Sequence, residues 1–586
     1  MENVEIARTL NAYADLLDTQ GENPCRVRSY RKAAQIIAGL SRSVTQLVEA
    51  GEALQKLPGI GSSMAEHIKE IAKTGRLLAL EHTHKELPRT FVQLIQLEKL
   101  GPKKAKRLYD ELSITSLSDL KTALDTGKVE ALPGFGSKTA AHLRRALAAY
   151  TQHTSRFLRS DAEPLLQPLL HYLRQGPGIE ALEVAGSYRR RQETLGDVDI
   201  LIACEEPQPV MQHFQSFPLV KHIEIAGTAR SAAILQSGLR VDLRIVPRRS
   251  YGAALHYFTG SKAHHVAVCK LALESGLRLN EYGIFRVPVG SKAAELGKEE
   301  GERVGGEEEE DVFRTLGMDW VPPELREDRG EIQAAQQGIL PTLVTPDDIR
   351  GDLQMHSTWS DGSHTIEEMA RACQGRGYEY CAITDHSKST RIAGGLGIHS
   401  FTRHWDEIAR VRQRLDGYVV LAGVELDILP DGSLHLPDDV LERFDIVVAS
   451  VHSKLNMTKM QMTKRLLKAL SHPAVEILAH PTGRQRRKRK PIAVDLDTVF
   501  HAAKEYDVAL ELNAQPQRLN LSDVQVYRAR ELGVRIAIDT DARSVDQLRF
   551  MQYGIDQARR GWLEREHVLN AMSWVQLQQW LKRRRS

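Results

Sequence analysis

Apolar residues recur every three to four positions through Val4, Ala7, Leu10, Ala14 and Leu17, which predicts an amphipathic helix near the start of the chain. Arg26, Arg28, Arg31 and Lys32 lead into a second helix through Ile36 and Ile37. A third amphipathic stretch, Met64 to Ile71, follows a turn at Leu57-Pro58-Gly59-Ile60-Gly61. The rhythm then shortens. A strand ending at Val184-Ala185 precedes Val198-Asp199-Ile200-Leu201-Ile202, where Val198, Ile200 and Ile202 share one face and Asp197 and Asp199 the other. Leu239 to Val246 forms another apolar run, carrying Asp242, and is expected to pair beside it. Beyond about residue 347 the pattern changes again. Tyr380–Thr384, Val419–Val424, Ile446–Val451, Val475–Ala479, Ala509–Asn513 and Arg535–Asp539 read as short apolar strands alternating with helices, the signature of a βα barrel with a parallel sheet.

Between these regions Trp320-Val321-Pro322-Pro323, Pro341 and Pro346 mix prolines with polar residues and predict an interdomain linker over 321–347. Gly305 to Asp311 reads as an exposed acidic loop or helix start. A chain of 586 residues holds roughly four domains, each with ample core. The net charge of +3 announces no partner, but its distribution does. Residues 1–160 carry 24 Lys and Arg against 17 Asp and Glu, while 295–311 carries nine acids and two bases, so a field directed at one surface is expected. The five cysteines form no C-x-x-C pair, and no apolar run approaches the ~20 residues of a membrane span. Met1-Glu2-Asn3 begins no signal peptide, so a soluble cytoplasmic protein is expected.

Two carboxylates side by side on a strand repel unless a divalent cation sits between them, and hard oxygen ligands suit Mg²⁺. With Asp242 as a third, Asp197 and Asp199 could hold two metals roughly 3.5–4 Å apart for in-line attack on phosphorus. Upstream, Gly186-Ser187 lets the backbone approach a phosphate, and Arg189, Arg190 and Arg191 supply forked donors. This ensemble resembles the nucleotidyltransferase palm of family X DNA polymerases, the group that includes DNA polymerase beta. Tyr257-Phe258-Thr259-Gly260-Ser261 is similar to the motif that packs under the incoming nucleotide, and Asn280-Glu281-Tyr282 fits the family's thumb region. The resemblance implies that Asp197, Asp199 and Asp242 hold Mg²⁺ and that Asp242 activates the primer 3′-hydroxyl. It further implies that Gly186, Ser187, Arg190 and Gly260 serve the triphosphate site and that Tyr257 and Phe258 exclude a ribose. His265 stands where an asparagine is common, which weakens the expected minor-groove contact.

Leu57 to Gly61, Leu100-Gly101-Pro102-Lys103 and Leu132-Pro133-Gly134-Phe135-Gly136-Ser137-Lys138 form an internal repeat of helix, glycine-bearing turn and helix. Each resembles a helix-hairpin-helix element. Gly59, Gly61, Gly101, Gly134 and Gly136 permit the turns, and the following helix starts, with Lys103 and Lys138, face a DNA phosphate. The first copy belongs, in DNA polymerase beta, to a lyase domain whose lysine forms a Schiff base. The aligned residue is His67, a poor imine former, so 5′-end binding without efficient lyase chemistry is expected.

Polar residues cluster at the ends of the C-terminal strands: Gln354, His356, Asp361, Asp385, His386, Glu425, His452, His480, Asp539 and Asp541. Such clusters mark active sites in this architecture, and four histidines with several carboxylates demand bound cations. Ser357 to Gly362, Ile383 to Ser387 and His480 to Arg484 resemble the PHP (polymerase and histidinol phosphatase) domain, which bacterial family X polymerases carry after the palm. The resemblance implies that His356, Asp361, His386, Glu425, His452, His480 and Asp541 hold Mn²⁺ or Zn²⁺ for a 3′-5′ exonuclease. The pattern departs twice: Gln354 opens it where a histidine is usual, and Arg543 closes it. Glutamine still offers an oxygen, but arginine ligates nothing. A site around His356, Asp361, His386, Glu425 and Asp541 is expected to survive, with the ion shared by His452 and His480 short of a partner and hydrolysis weaker or more manganese-dependent. Arg484 to Lys490, with six positive charges in seven residues, is either solvated surface or a guide for a DNA strand.

The fold expected is multidomain, α+β and α/β. It runs as a helical lyase-like domain (1–85), a helical DNA-binding subdomain (86–155), palm (156–247), thumb (248–320), linker (321–347) and a distorted (β/α) PHP barrel (348–586). The function implied is gap-filling DNA synthesis in repair by a monomer acting on gapped or primer-template DNA with dNTPs. The alternatives are a repair nuclease with a vestigial palm, or a non-catalytic DNA-binding scaffold.

Overall fold

The first helix, α1 (Asn3–Thr19), buries Ile6, Leu10, Ala14 and Leu17 against Val27, Tyr30, Ala34 and Ile37 of α2 (Pro24–Gly39), as its apolar spacing requires. The structure, a computed structural model, describes residues 3–20, 22–40, 44–57, 59–81, 94, 100–153, 156–288, 297–388, 394–486 and 489–585. They divide into two compact units, Met1–Arg156 and Phe157–Ser586.

In the first unit, Gly59 adopts φ +87° and Gly61 leads into α3 (Ser62–Thr74). A side chain at Gly59 would be strained in that left-handed backbone. Gly134, at φ +83°, repeats the device before α5 (Ser137–His153), with Phe135 buried beneath the Arg107 guanidinium. Gly101 opens α4 (Gly101–Leu112), but residues 95–99 and the side chain of Lys103 lie outside the described residues, so the middle turn is not seen. Lys138 is exposed on the first turn of α5. His67 sits on α3 with its Nδ1 2.6 Å from the Tyr30 hydroxyl.

The second unit opens with a five-stranded sheet of β1 (Ala181–Val184), β2 (Val198–Ala203), β3 (Val220–Ala226), β4 (Arg230–Leu235) and β5 (Arg240–Val246), in the order β1-β2-β5-β4-β3. β2 and β5 run parallel, and every other pair is antiparallel. Val198, Ile200 and Ile202 face a core with Leu166, Leu169 and Phe214, leaving the opposite face of β2 for chemistry. The following region pairs two helices with a three-stranded sheet of Leu277–Asn280, Gly283–Arg286 and Glu302–Gly305.

The acidic run is a helix start, with a helix over Glu310–Thr315 and Glu307, Glu308 and Glu310 exposed; Glu309 alone is buried, 4% exposed, and grips both Arg189 and Arg326. Burial works against its ionisation, but the two guanidiniums hold it far below the usual carboxylate range. The segment 321–347, expected as an interdomain linker, is packed. Val321, Leu325, Ile332, Ala335 and Leu343 share one apolar cluster with Phe313 before them and Trp562 far after.

The C-terminal region is a seven-stranded, all-parallel sheet in sequence order: β6 (Gly351–Asp352), β7 (Tyr380–Ile383), β8 (Val419–Asp427), β9 (Ile446–Ser450), β10 (Ile477–Leu478), β11 (Ala509–Asn513) and β12 (Ile536–Asp539). β9 and β11 are buried along their whole length, which is why they read as unbroken apolar runs. Thr365/Glu368, Thr458/Gln461 and Ser522/Gln525 cap the intervening helices reciprocally. The first and last strands meet through side chains. Leu353 N–H donates to Asp539 (2.9 Å), Thr540 donates to Asp352, and a bridge pairs Met355 with Ala542.

Candidate active sites

β1 leads into Gly186 at φ +61°, and a Cβ built there would lie 2.2 Å from Asp199 Oδ2. Only glycine fits. On β2, Asp199 is registered directly against Asp242 of β5. Asp197 precedes β2 by one residue, and Arg240 reaches both Asp197 (3.2 Å) and Asp242 (3.9 Å), so one guanidinium spans two of the predicted carboxylates. Arg230 forks onto Asp242 at 2.6 and 3.2 Å, and Arg244 lies 3.7 Å away. Burial, reinforced by Asp197 and Asp242, pushes the Asp199 carboxyl up to about 7. Crowded carboxylates of this kind, short of positive charge at Asp199, fit divalent cations.

Arg190 donates to the Thr259 carbonyl (2.5 Å) and pairs with Glu327 (3.2 Å), and a Cβ at Gly260 would lie 3.3 Å from its Nη1. One helical turn joins Gly186, against Asp199, to Arg190, against Gly260, through Ser187, with the Arg190 N–H donating to the Gly186 carbonyl at 3.3 Å. Arg189 is committed elsewhere, donating to Glu309 at 2.6 and 2.9 Å. Tyr257, 40% exposed, packs edge-on against Phe258 (4.9 Å between ring centres) and His265 (4.7 Å). Phe258 carries the Arg244 guanidinium over its ring at 4.4 Å. Burial lowers His265 to about 4, so the ring is neutral. Arg230, Arg240, Arg244 and Glu327 are not singled out by the sequence reading. The alternation Arg240-x-Asp242-x-Arg244, which puts three charges on one strand face, is the signal that would have exposed two of them.

In the barrel, Glu425 is the hub. His386 Nδ1 (3.3 Å) and His356 Nε2 (3.5 Å) face its Oε2, while His480 Nε2 (3.1 Å) and His452 Nε2 (3.3 Å) face its Oε1. Burial opposes its ionisation, yet the surrounding imidazoles hold it well below the carboxylate range. His356 also lies 3.0 Å from Asp541. Donor atoms of His356, His386 and Glu425, and of Glu425, His452 and His480, converge within 4.8 Å, spacings suited to metal ions. His356 Nδ1, His386 Nδ1, Glu425 Oε2 and both amide atoms of Gln354 are buried without a hydrogen-bond partner. That donor set fits cations bound among it. His480 and Asp541 occupy left-handed backbone, at φ +31° and +49°, as residues at constrained sites often do.

Arg543 overturns one expectation. Its guanidinium sits between Asp361 (2.7 Å) and Asp541 (2.7 Å), with Nη2 3.5 Å from His386. The corner it affects is therefore Asp361–Asp541, while the group Glu425, His452 and His480 is intact. Asp385 and Asp539 belong to the support. Asp385 accepts from Ser357, Ser360 and His404, and Asp539 closes the barrel seam. In the basic run after His480, Arg484 (3.0 Å) and Arg486 both pair with Glu193 of the palm and Arg489 donates to Gly483, while Arg487 and Lys488 lie outside the described residues.

A carboxylate-lined palm with its thumb, joined to a histidine-rich parallel barrel, defines a nucleotidyltransferase fused to a PHP domain. Comparison with known families agrees region by region. Residues 169–248 match the DNA polymerase beta palm, 254–327 the DNA polymerase beta thumb and 352–515 the PHP domain. Residues 1–77 match a helix-hairpin-helix domain and 91–149 a SAM-like helix-hairpin-helix tandem. The chain is 37% identical over 585 residues, covering 100% of both sequences, to the Bacillus subtilis DNA polymerase/3′-5′ exonuclease PolX. It is 27% identical to rat DNA polymerase lambda over 56% of each chain, and 31% identical to a probable phosphatase of Caldanaerobacter subterraneus over 30% of this chain and 69% of that protein. The chain belongs to the family X DNA polymerases that carry a C-terminal PHP domain. Among the described residues, no helix is long and apolar enough to cross a membrane.

Proposed function

We propose that this chain fills short gaps in DNA during repair by nucleotidyl transfer in the palm and trims 3′ ends by phosphoester hydrolysis in the barrel. The observation that carries the reading is the registration of Asp199 against Asp242, with Gly186 pressed against the same carboxylate. Asp197, Asp199 and Asp242 would hold two Mg²⁺ ions, which when bound neutralise charge building on the pyrophosphate and ease ionisation of the primer hydroxyl. Asp242 takes up that proton. Ser187 and Arg190 bind the triphosphate where the Gly186 backbone allows close approach. Tyr257 and Phe258 pack under the sugar and exclude a ribose, and neutral His265 offers one donor and one acceptor beside them.

In the barrel, His356, Asp361, His386, Glu425, His452, His480 and Asp541 would hold Mn²⁺ or Zn²⁺, and ions bound there supply an ionised water near neutral pH. Arg543 takes part of the Asp361–Asp541 corner, which favours weaker or more manganese-dependent hydrolysis. The glycine turns, with Lys103 and Lys138 on the helices that follow them, grip the backbone of gapped or primer-template DNA, and the protein acts as a monomer on dNTPs. Primer extension on gapped duplex, with parallel loss of a labelled 3′ end, tests the assignment. Asp197→Ala should abolish synthesis alone, and His356→Ala should abolish end trimming alone. Absence of synthesis in the wild-type protein would overturn it in favour of a nuclease or a scaffold.

A further inference from the structure

The loop after the phosphate-binding turn, Arg190 to Glu193, is clamped from the PHP side at three places. Arg560, at the end of α6 (Met551–Arg560), donates to the Arg190 carbonyl at 2.7 Å. Asp556, one turn earlier on the same helix, lies 3.9 Å from Arg191 and also holds Arg159. Arg484 and Arg486 hold Glu193. These contacts lie within the one compact unit formed by Phe157–Ser586.

Arg560 is the member with consequences for chemistry. It is 2% exposed, and its Nη1 also lies 3.1 Å from Glu327, the carboxylate that pairs with the Arg190 side chain. Gln192 donates to the same oxygen at 2.7 Å. The other arm of Arg560 meets Asp523 (2.6 Å), which Arg329 holds as well (2.9 Å). The cluster therefore sets three guanidiniums (Arg190, Arg329, Arg560) against two carboxylates (Glu327, Asp523), a net charge of 3 − 2 = +1. Without Arg560, Glu327 and Asp523 would face only Arg190 and Arg329, and the net charge of the cluster would fall to 2 − 2 = 0.

We infer that Arg560, a residue of the PHP domain, is a positioning residue for the incoming nucleoside triphosphate. It fixes the backbone of Arg190 and shares Glu327, so that Arg190 keeps its positive field toward the palm. The inference rests on the reading of Arg190 as a triphosphate contact.

Steady-state insertion on a one-nucleotide gap by the full-length protein tests it. Arg190→Ala establishes the underlying contact and should raise KM for the dNTP by tenfold or more, roughly the worth of one charge-assisted hydrogen bond. Arg560→Gln should raise KM by about five- to tenfold with kcat changed less than about twofold, and with hydrolysis in the barrel unaltered. Arg560→Lys keeps the buried charge but cannot fork to all its partners, so its KM should fall between. It also stands in should the glutamine variant fail to fold. Glu327→Gln added to Arg560→Gln removes the competing carboxylate and should bring KM back toward the wild-type value. Unchanged KM in Arg560→Gln beside a raised KM in Arg190→Ala overturns the role of Arg560 alone. Equal loss of insertion and hydrolysis, unrelieved by lysine, marks a purely structural residue and overturns it too. Unchanged KM in Arg190→Ala removes the triphosphate reading, and the inference falls with it.

Discussion

Arg543→Ala isolates the charge that fills one corner of the barrel site. In the native arrangement the guanidinium spans Asp361 and Asp541 at 2.7 Å each, and Asp541 is 1% exposed. Burial opposes ionisation of Asp541, and Arg543, His356 and Arg518 override it to hold the carboxyl far down. Removing one partner of a buried pair costs about 3–5 kcal/mol. Asp541 keeps His356 (3.0 Å), Asn513 (3.0 Å) and Arg518 (3.5 Å), and Asp361 reaches solvent, so about 2 kcal/mol is the fair expectation here. For a domain of this size that is a fall of roughly 4–8 °C in Tm, measured calorimetrically in chelator. Saturating Mn²⁺ should close most of the gap, because a cation replaces the missing charge. Arg543→His goes further: it supplies a ligand where the guanidinium stood and should bind an additional equivalent of metal. The count is best made by elemental analysis in an Asp197→Ala background that silences the palm. An alanine variant melting within a degree of wild type in chelator, or a histidine variant with an unchanged metal count, would refute the reasoning.

Three further outcomes are expected. Gly186→Ala should abolish synthesis without unfolding the protein, since its Cβ would meet Asp199 Oδ2 at 2.2 Å and displace that carboxylate; retained primer extension would contradict the geometry. Asp199 has a folded pKa raised to about 7, so its contribution to stability is fully present below the unfolded value of about 3.9 and is lost as pH rises through about 7. In chelator, Asp199→Asn should therefore melt higher than wild type by an amount that grows between pH 4 and 7 and then levels off, equivalent to about 4 kcal/mol for those two pKa values, while losing synthesis. Borohydride should trap no covalent adduct between the protein and a cleaved abasic site, because His67, held by Tyr30 at 2.6 Å, offers no primary amine; trapping that survives His67→Ala would point to another residue as nucleophile.

The strands and both carboxylate-bearing clusters were legible because their signals are local. Period-two alternation put Asp197 and Asp199 on one face, and the all-buried strands of the barrel appear as apolar runs ending in His386, Glu425 or Asp541. What escaped is long-range charge pairing. Arg189 and Glu309 lie 120 residues apart, so nothing in the acidic run Glu307 to Asp311 distinguishes its buried member from its exposed neighbours. The prolines of 321–347 suggest a spacer, yet the apolar residues between them find a shared core that composition does not reveal. The same limit applies to Arg484 and Arg486, whose partner Glu193 sits in another domain. Arg543 was recognisable as a non-ligand, but which corner it occupies depends on where Asp361 is delivered by a separate loop.

The seam of the barrel has a consequence for biogenesis. His356 and Asp541 are 185 residues apart, and the amide of His356 reaches its acceptor, Ala542, only when the final strand is in place. Every carboxylate of the palm, by contrast, has left the ribosome before the barrel's first strand is translated. A nascent or prematurely terminated chain thus carries Asp197, Asp199 and Asp242 long before it can bring His356 and Asp541 together.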